Sequence, residues 1–149
     1  MYMYVGYGFD SSDVSNETLL KLIRERTPDE YARFVAYCEK RRGKTDEETL
    51  LKEIRNGIED EGDGVPDIIA RIINDGEAKR LAGEDLVEVC DDYIAFPTIG
   101  FADESKRAMV VRSREAFAKI VGKYLNLDEL TFACVYGGDE WGDPNYFME

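Results

Sequence analysis

The stretch that decides the fold is YMYVGYGF, residues 2–9. Its aromatic and aliphatic side chains alternate with smaller residues, which is typical of a β-strand. A polar turn at residues 10–13 follows, and the chain then shows helical patterns over about residues 15–82. Strand patterns return over about residues 85–137. A lone strand, then helices, then further strands indicates an α+β fold in which the first strand inserts into the later sheet.

Three of the predicted helices have recognisable starts. Ser15 begins the first, while residues 27–30 (TPDE) and 45–48 (TDEE) have the spacing of capping boxes with Thr27 and Thr45 as the N-caps. Gly43 and Gly57 end the second and third helices. The apolar positions of these helices recur at helical spacing. They are Leu19, Leu20, Leu22, Ile23, Tyr31, Phe34, Val35, Cys38, Leu50, Leu51 and Ile54.

A fourth short helix and two strands follow. Pro66 opens the helix, and residues 74–76 (NDG) are expected to end it. Residues 86–90 and 93–101 then alternate as strands on either side of an acidic turn. Pro97 indicates a sheet edge or a bulge, because proline cannot donate a main-chain hydrogen bond.

Residues 103–125 fit two interpretations. In the one we favour, residues 109–111 form a short strand and Ser113 caps a helix that ends at Asn126. In the alternative, one helix covers residues 103–125. Residues 130–136 complete a mostly antiparallel sheet in either case. The prediction is therefore a single α+β domain over residues 1–149, with about four helices before the sheet and one further helix within it.

The charge balance argues against several classes of function. The chain has 32 Asp and Glu against 19 Lys and Arg, so its net charge is -13, and it has no histidine. A charge of this sign repels nucleic acid and anionic membranes and attracts basic partners. The missing histidine removes the usual general base near neutral pH and the commonest metal ligand. We therefore predict a non-enzymatic protein with no catalytic residue, metal or cofactor, which binds neither nucleic acid nor membrane directly.

The cysteines indicate the compartment. Cys38, Cys90 and Cys134 are odd in number, widely spaced and surrounded by apolar residues. This pattern favours buried thiols in a reducing environment over a disulfide framework. The first residues have neither a basic region nor a long apolar run, so no signal peptide is expected. The predicted location is the cytoplasm.

Acidic residues are concentrated in three segments. Residues 45–67 hold nine acids and two bases, residues 84–104 seven acids and no base, and residues 128–149 six acids and no base. Residues 105–124 have the opposite bias, with six bases and one acid. A solvated surface is one explanation of the acids. The other is a face that imitates a phosphate backbone or engages a basic groove of another protein.

Two motifs resemble known binding loops but fail at diagnostic positions. Residues 59–64 match the first half of a calcium loop, yet position twelve is Ala70, where a bidentate Glu is required. Residues 6–8 (GYG) follow a strand pattern, but Ser11 replaces the third glycine of a dinucleotide fingerprint. We expect an exposed acidic loop at the first motif, and close strand packing or a bulge at the second.

The segment 138–149 (GDEWGDPNYFME) combines Trp141, Tyr146, Phe147 and Met148 with acids and turn residues. Aromatic anchors ringed by charge are typical of interface hot spots. The alternative is that these aromatics fold back over a hydrophobic patch of the same chain.

A small, acidic, histidine-free α+β chain resembles, in type only, the inhibitors that phages and mobile elements deploy against nucleic-acid-binding defence enzymes. The resemblance assigns a role to no individual residue. It implies an anti-defence function, such as anti-CRISPR or anti-restriction, and one way to perform it is a surface that mimics nucleic acid. The predicted partner is a basic, nucleic-acid-handling protein. The predicted contacts lie in the loop at residues 59–63, the turn at residues 91–92 and the tail. They are Glu59, Asp60, Glu61, Asp63, Asp91, Asp92, Asp139, Glu140, Trp141 and Asp143.

Two other functions remain open at this point. The first is a domain or small enzyme that binds an anionic small molecule through the basic segment 105–124. Its ligand-binding residues are Lys106, Arg107, Arg112 and Arg114. The second is a homo-oligomeric structural protein in which acidic and basic segments pair between subunits, and the sequence leaves the oligomeric state undecided.

Overall fold

The first strand predicted from the sequence, β1 (Tyr4–Asp10), lies in the interior of a four-stranded antiparallel sheet. This computed structural model describes residues 4–43, 46–56, 64–77, 86–90, 92–98 and 106–137. The remaining strands are β2 (Glu88–Cys90), β3 (Tyr93–Thr98) and β4 (Phe132–Gly137). Their order is β2-β3-β1-β4, so the N-terminal strand does insert into the later sheet, as predicted.

The described residues contain five α-helices. They are α1 (Asn16–Arg26), α2 (Pro28–Arg42), α3 (Glu47–Arg55), α4 (Val65–Glu77) and α5 (Lys106–Val121). The first four form the expected helical block between β1 and β2, and the α+β fold is confirmed. Most of the predicted apolar helix positions, including Cys38, are buried, while Tyr31 and Val35 are partly buried. They form one hydrophobic cluster with Tyr7, Phe9 and Ile94 of the sheet.

Helix α5 packs on the sheet through one aromatic ring. Phe117 is fully buried, and its ring centroid lies 6.2 Å from Tyr7, 6.1 Å from Phe9, 6.0 Å from Phe96 and 5.8 Å from Phe132. These rings come from three strands, so a single side chain of α5 joins β1, β3 and β4.

Close strand packing explains one glycine of the GYG motif. Gly8 lies opposite Ala95 of β3 and Ala133 of β4. A Cβ atom at position 8 would collide with the main-chain oxygen of Ile94. The expectation of small residues for close strand packing is therefore confirmed at Gly8.

Our favoured interpretation of residues 103–125 is wrong. Residues 109–111 belong to α5, and Ser113 lies inside that helix and does not cap it. The alternative of a single helix is correct, although α5 ends at Val121 and not at residue 125. Asn126, which was predicted to end the helix, caps the short 3-10 helix Leu127–Glu129. No glycine or proline interrupts residues 106–121, and helix propagation through such a segment is cooperative once it has begun.

Two of the predicted caps also differ in detail. Thr27 precedes α2, but its hydroxyl donates to the carbonyl of Ile23 in α1, so the capping-box hydrogen bond is absent there. The N-cap of α3 is Asp46 and not Thr45, since the Asp46 carboxylate accepts from the N–H of Thr49 at 2.7 Å. Thr45 itself lies outside the described residues.

Helix α4 continues one residue beyond the predicted stop at residues 74–76 and ends at Glu77. The Asn74 side chain is engaged with the chain that leads into β2, and does not end the helix. Pro97 of β3 lies beyond the part of that strand that pairs with β2, which extends only to Ala95. It is therefore at an edge of the described sheet, as predicted. Residues 99–101, the end of the second predicted strand, lie outside the described residues.

Candidate functional site

Of the acidic contacts predicted from sequence, Asp92 lies within the described residues. It is exposed in the turn between β2 and β3, and its carbonyl accepts from the N–H of Ser11 at 2.9 Å. The other predicted contacts lie outside the described residues. They are Glu59, Asp60, Glu61, Asp63, Asp91, Asp139, Glu140, Trp141 and Asp143.

Chain connectivity nevertheless relates most of these residues to one part of the fold. Residues 57–63 lead into α4, residues 78–85 join α4 to β2, and residue 91 joins β2 to the Asp92 turn. From residue 57 to residue 92 the chain has twelve acids and three bases, a local charge of -9. Most of the net charge of the protein is therefore attached to two adjacent elements. Their outward side is named the α4–β2 face and consists of Asp67, Arg71, Asn74, Asp75 and Val89, with the buried Val87 beneath them; the exposed Glu88 lies on the opposite face of β2.

Helix α4 supplies a polar stripe to this face. Its opposite side buries four isoleucines, so residues 67, 71 and 75, which are spaced by four, remain toward solvent. Asp67 and Asp75 are exposed. The base between them, Arg71, forms a salt bridge with Glu30 of α2. The stripe therefore has a net negative charge, because it has two aspartates and one arginine, and that arginine is paired with Glu30.

Asn74 fixes the distance between α4 and the chain entering β2. Its side-chain oxygen accepts from the N–H of Leu86 at 2.8 Å and of Val87 at 2.9 Å. Its side-chain nitrogen donates to the carbonyl of Val87 at 3.0 Å. Both groups of the amide are thereby used, and β2 is held beside the polar stripe.

A shallow groove of about 370 Å³ separates the stripe from β2. Asp67, Arg71 and Asp75 line one wall, and Val87 and Val89 line the other. Val89 is 37% exposed, and Glu88 of the same strand is exposed. Carboxylates beside the exposed Val89 suit the charged ends and aliphatic stems of Lys and Arg side chains.

The acidic tail joins the sheet elsewhere. It continues from Gly137 of β4, which lies opposite Tyr4, whereas the Asp92 turn adjoins the other end of β1. β4 and β2 are also the outermost strands of the described sheet, about 14 Å apart at ~4.8 Å per strand. Two regions that the sequence analysis treated as one contact set are thus attached at diagonally opposite corners.

A second concave feature lies between α1 and residues 122–129, which follow α5. This cleft measures about 700 Å³, and its lining combines three cationic side chains, Lys21, Arg26 and Lys123, with four acidic ones, Glu17, Glu25, Asp128 and Glu129. The Arg26 guanidinium stacks 4.8 Å from the ring centroid of Tyr124. Both Lys123 and Tyr124 bond to the buried carboxylate of Glu77, at 3.3 and 3.0 Å.

The basic residues predicted to bind a small molecule do not converge in this cleft as a set. Arg114 is exposed on α5 and is not part of the cleft lining. Lys106, Arg107 and Arg112 belong to α5 through their main chain, and their side chains lie outside the described residues. At about 100° per residue, positions 107 and 114 share one side of the helix and position 112 lies on another.

One wall of the cleft contains a charged hydrogen-bond cluster. Glu129 accepts from the hydroxyls of Ser15 and Thr18 at 2.6 and 3.0 Å, and from the N–H of Ser15 at 3.3 Å. These bonds, that from the Ser15 hydroxyl first, hold the pKa of Glu129 below its ordinary value because they favour the ionised form. The cluster fixes the 3-10 helix Leu127–Glu129 to the start of α1.

Sequence reasoning missed the central residues of the α4–β2 face. Asp67 and Asp75 gave a signal, since their spacing places them on one side of a helix. Asn74 and Val89 gave none, because the Asn74 bonds join residues twelve and thirteen positions apart in a contact that only the fold creates.

Two features are absent from the described ranges. No group of three or more Cys, Asp or Glu side chains there is arranged to hold a metal ion. No helix within those ranges is long and apolar enough to cross a membrane. The calcium-like loop at residues 59–64 falls largely outside the described part of the chain.

Comparisons with protein families, with curated proteins and with solved structures find no significant match. Function is therefore inferred from the geometry and charge of the chain itself.

Proposed function

We propose that this protein is a non-enzymatic binding module that engages, and thereby inhibits, a basic nucleic-acid-handling protein. A cytoplasmic anti-defence role of the phage or mobile-element type, such as anti-CRISPR or anti-restriction, is the function that this chemistry fits best. The contact surface is the α4–β2 face together with the acidic segments that adjoin it.

The observation that supports this proposal is the concentration of charge. The 36 residues from 57 to 92 have a charge of -9, whereas residues 4–43, which include α1 and α2, have seven acids and seven bases. A concentration of like charge along one part of a protein orients an approaching basic partner and accelerates its association. Carboxylates can also bind the Arg and Lys side chains that normally hold phosphates, which would block nucleic acid from the partner's groove.

The test is a pull-down from a nuclease-treated bacterial lysate, with washes at low and then high salt. A reversal variant changes four exposed acids of the proposed surface. Its substitutions are Asp67→Lys, Asp75→Lys, Glu88→Lys and Asp92→Lys. A control variant makes the same change of charge elsewhere. Its substitutions are Glu25→Lys, Glu39→Lys, Glu115→Lys and Asp128→Lys.

We expect the wild type and the control variant to retain a stoichiometric basic partner at low salt and to release it as salt rises. The reversal variant should bind that partner at least tenfold more weakly, a loss of about 1.4 kcal/mol, with a flatter salt dependence. Equal affinity and equal salt dependence for the two variants would place the contact outside the α4–β2 face. A partner that is captured only when the nuclease is left out would mean that nucleic acid, and not the protein, had been captured.

The second candidate function is the binding of an anionic small molecule. Its support is the volume of the cleft between α1 and residues 122–129, because about 700 Å³ lies within the range of ligand sites. Mass spectrometry of ligands released from the purified protein tests this candidate. A metabolite retained by the wild type and lost from a Lys21→Glu, Lys123→Glu variant would support it over the partner-binding proposal.

A further inference from the structure

The main-chain groups of β2 determine what its outer edge offers to a partner. The N–H of Ser11 donates to the carbonyl of Asp92, which continues the register in which Phe9 lies opposite Ile94. Opposite residues of an antiparallel ladder exchange hydrogen bonds at every second pair. The N–H and carbonyl of Ile94 therefore face β1 and are turned away from β2.

Val89 lies opposite Ile94 in the ladder between β2 and β3. Because Ile94 faces β1, this pair is not hydrogen-bonded, and the N–H and carbonyl of Val89 point away from β3. Val87, two residues earlier, has the same orientation, since its N–H and carbonyl both bond to Asn74. Two separate observations thus give the same direction for the open edge of β2.

Asn74 takes the place of a neighbouring strand at Val87 and leaves Val89 open. Its carboxamide donates and accepts there, as the peptide group of an added strand would. Within the described ranges, no group bonds the outward N–H and carbonyl of Val89. Open main-chain groups on an edge strand are a template for pairing with a further strand.

We propose that an extended segment of the basic partner adds to β2 as a further strand beside Val89. This inference rests on the proposed function, because charge selects the occupant of the edge. Asp67 and Asp75 across the adjoining groove, and Glu88 on the strand, provide carboxylates for the Lys and Arg side chains of that segment. A second copy of this chain is disfavoured, since it would bring two like-charged faces together.

Synthetic peptides test the main-chain pairing without altering the protein. The probe is a seven-residue peptide of alternating Lys and Val, compared with two N-methylated forms that each block the donors of one peptide edge. We expect one methylated form to bind at least about fivefold more weakly, the loss of one or more net hydrogen bonds, although its charge is unchanged. Equal binding of all three peptides would overturn strand addition.

Variants then separate this inference from the proposed function. Val89→Pro removes the outward N–H and spares the ladder bonds, which belong to Glu88 and Cys90, so we expect about fivefold weaker peptide binding with an unchanged fold. Val89→Thr keeps the N–H and should bind as the wild type does. Asp67→Asn with Asp75→Asn should also weaken binding. If only this double variant weakens peptide binding, the acidic contact surface is supported and strand addition is contradicted. If no variant weakens it, both proposals are contradicted.

Hydrogen exchange of the free protein tests whether another segment of this chain, or a second copy, occupies the edge of β2. We expect the Val89 amide to exchange rapidly in the free protein and to become protected when the Lys-Val peptide binds. Protection without peptide in a monomer would show that another segment of this chain covers the edge. Protection accompanied by a dimeric mass would show a second copy there. Either result would overturn the proposal.

Discussion

Several polar side chains of this protein have partners far away in the sequence. Glu129 bonds to Ser15 across 114 positions, and Glu77 bonds to Tyr124 across 47. Such contacts leave no local pattern, because each partner alone resembles an ordinary surface residue. They are nevertheless among the features that fix α1 and α4 to the end of α5.

The Glu129 cluster predicts a pH dependence of stability. Glu129→Gln should lower the free energy of unfolding by about 1 kcal/mol near neutral pH, because the charge-assisted bonds weaken. Since the pKa of Glu129 is lowered in the folded state, its contribution is complete above the ordinary glutamate pKa of about 4.3. It is lost as the pH falls through the lower folded value. The two proteins should therefore converge in acid.

Denaturant unfolding at a series of pH values measures this difference. Glu115→Gln is the matched control, because it makes the same change at an exposed position of α5. The plot of its unfolding free energy against pH should run parallel to that of the wild type. A parallel curve for Glu129→Gln as well would mean that the cluster does not stabilise the ionised form.

The helices show which sequence signals are dependable. The apolar faces of α1 and α3 were predicted residue by residue, because helical periodicity reports directly on burial. The helix ends were less predictable. At α2 and α3 a Thr-x-x-Glu pattern indicated a threonine cap, but Thr27 bonds back to Ile23 and Asp46 caps α3.

The Asp46 cap gives a prediction for α3. Asp46→Ala should lower the free energy of unfolding, since the N–H of Thr49 loses its acceptor. Asp46→Asn keeps a side-chain oxygen at the cap and should lose much less. Thermal or denaturant unfolding compares them with the wild type. Equal losses for the two variants would mean that the charge of Asp46 matters and its capping bond does not.

The candidate site was predictable only in part. Charge counting identified the acidic segments, and the fold shows that those in residues 57–92 adjoin one helix and one strand. The position of Asn74 between α4 and β2 required the tertiary structure, as did the orientation of Val89. The strand predicted at residues 109–111 was wrong because a Met-Val-Val run favours a strand locally, whereas the surrounding sequence extends a helix.

At the scale of the whole molecule, the acids and bases are separated enough to permit pairing between copies. Residues 105–124 have a charge of +5, opposite in sign to the -9 of residues 57–92. If subunits assembled through these segments, the mass in solution would fall as salt screened the attraction. The binding-module proposal predicts instead the same monomeric mass at low and high salt. Multi-angle light scattering at low and high salt decides between the two. A variant in which three bases of this segment are reversed serves as a control. Its substitutions are Arg107→Glu, Arg112→Glu and Arg114→Glu.

The central position of β1 has a consequence for biosynthesis. Translation reaches Asp10 early, yet the partners of β1 end at Thr98 and Gly137. At about 5–20 residues per second, the strand waits roughly 6–25 s for the last of them. The helical block, whose contacts are nearer in sequence, can fold in that interval, while the sheet must await a long loop closure. Nascent chains halted before residue 93 would thus expose Tyr7 and Phe9 and be the form most prone to aggregate.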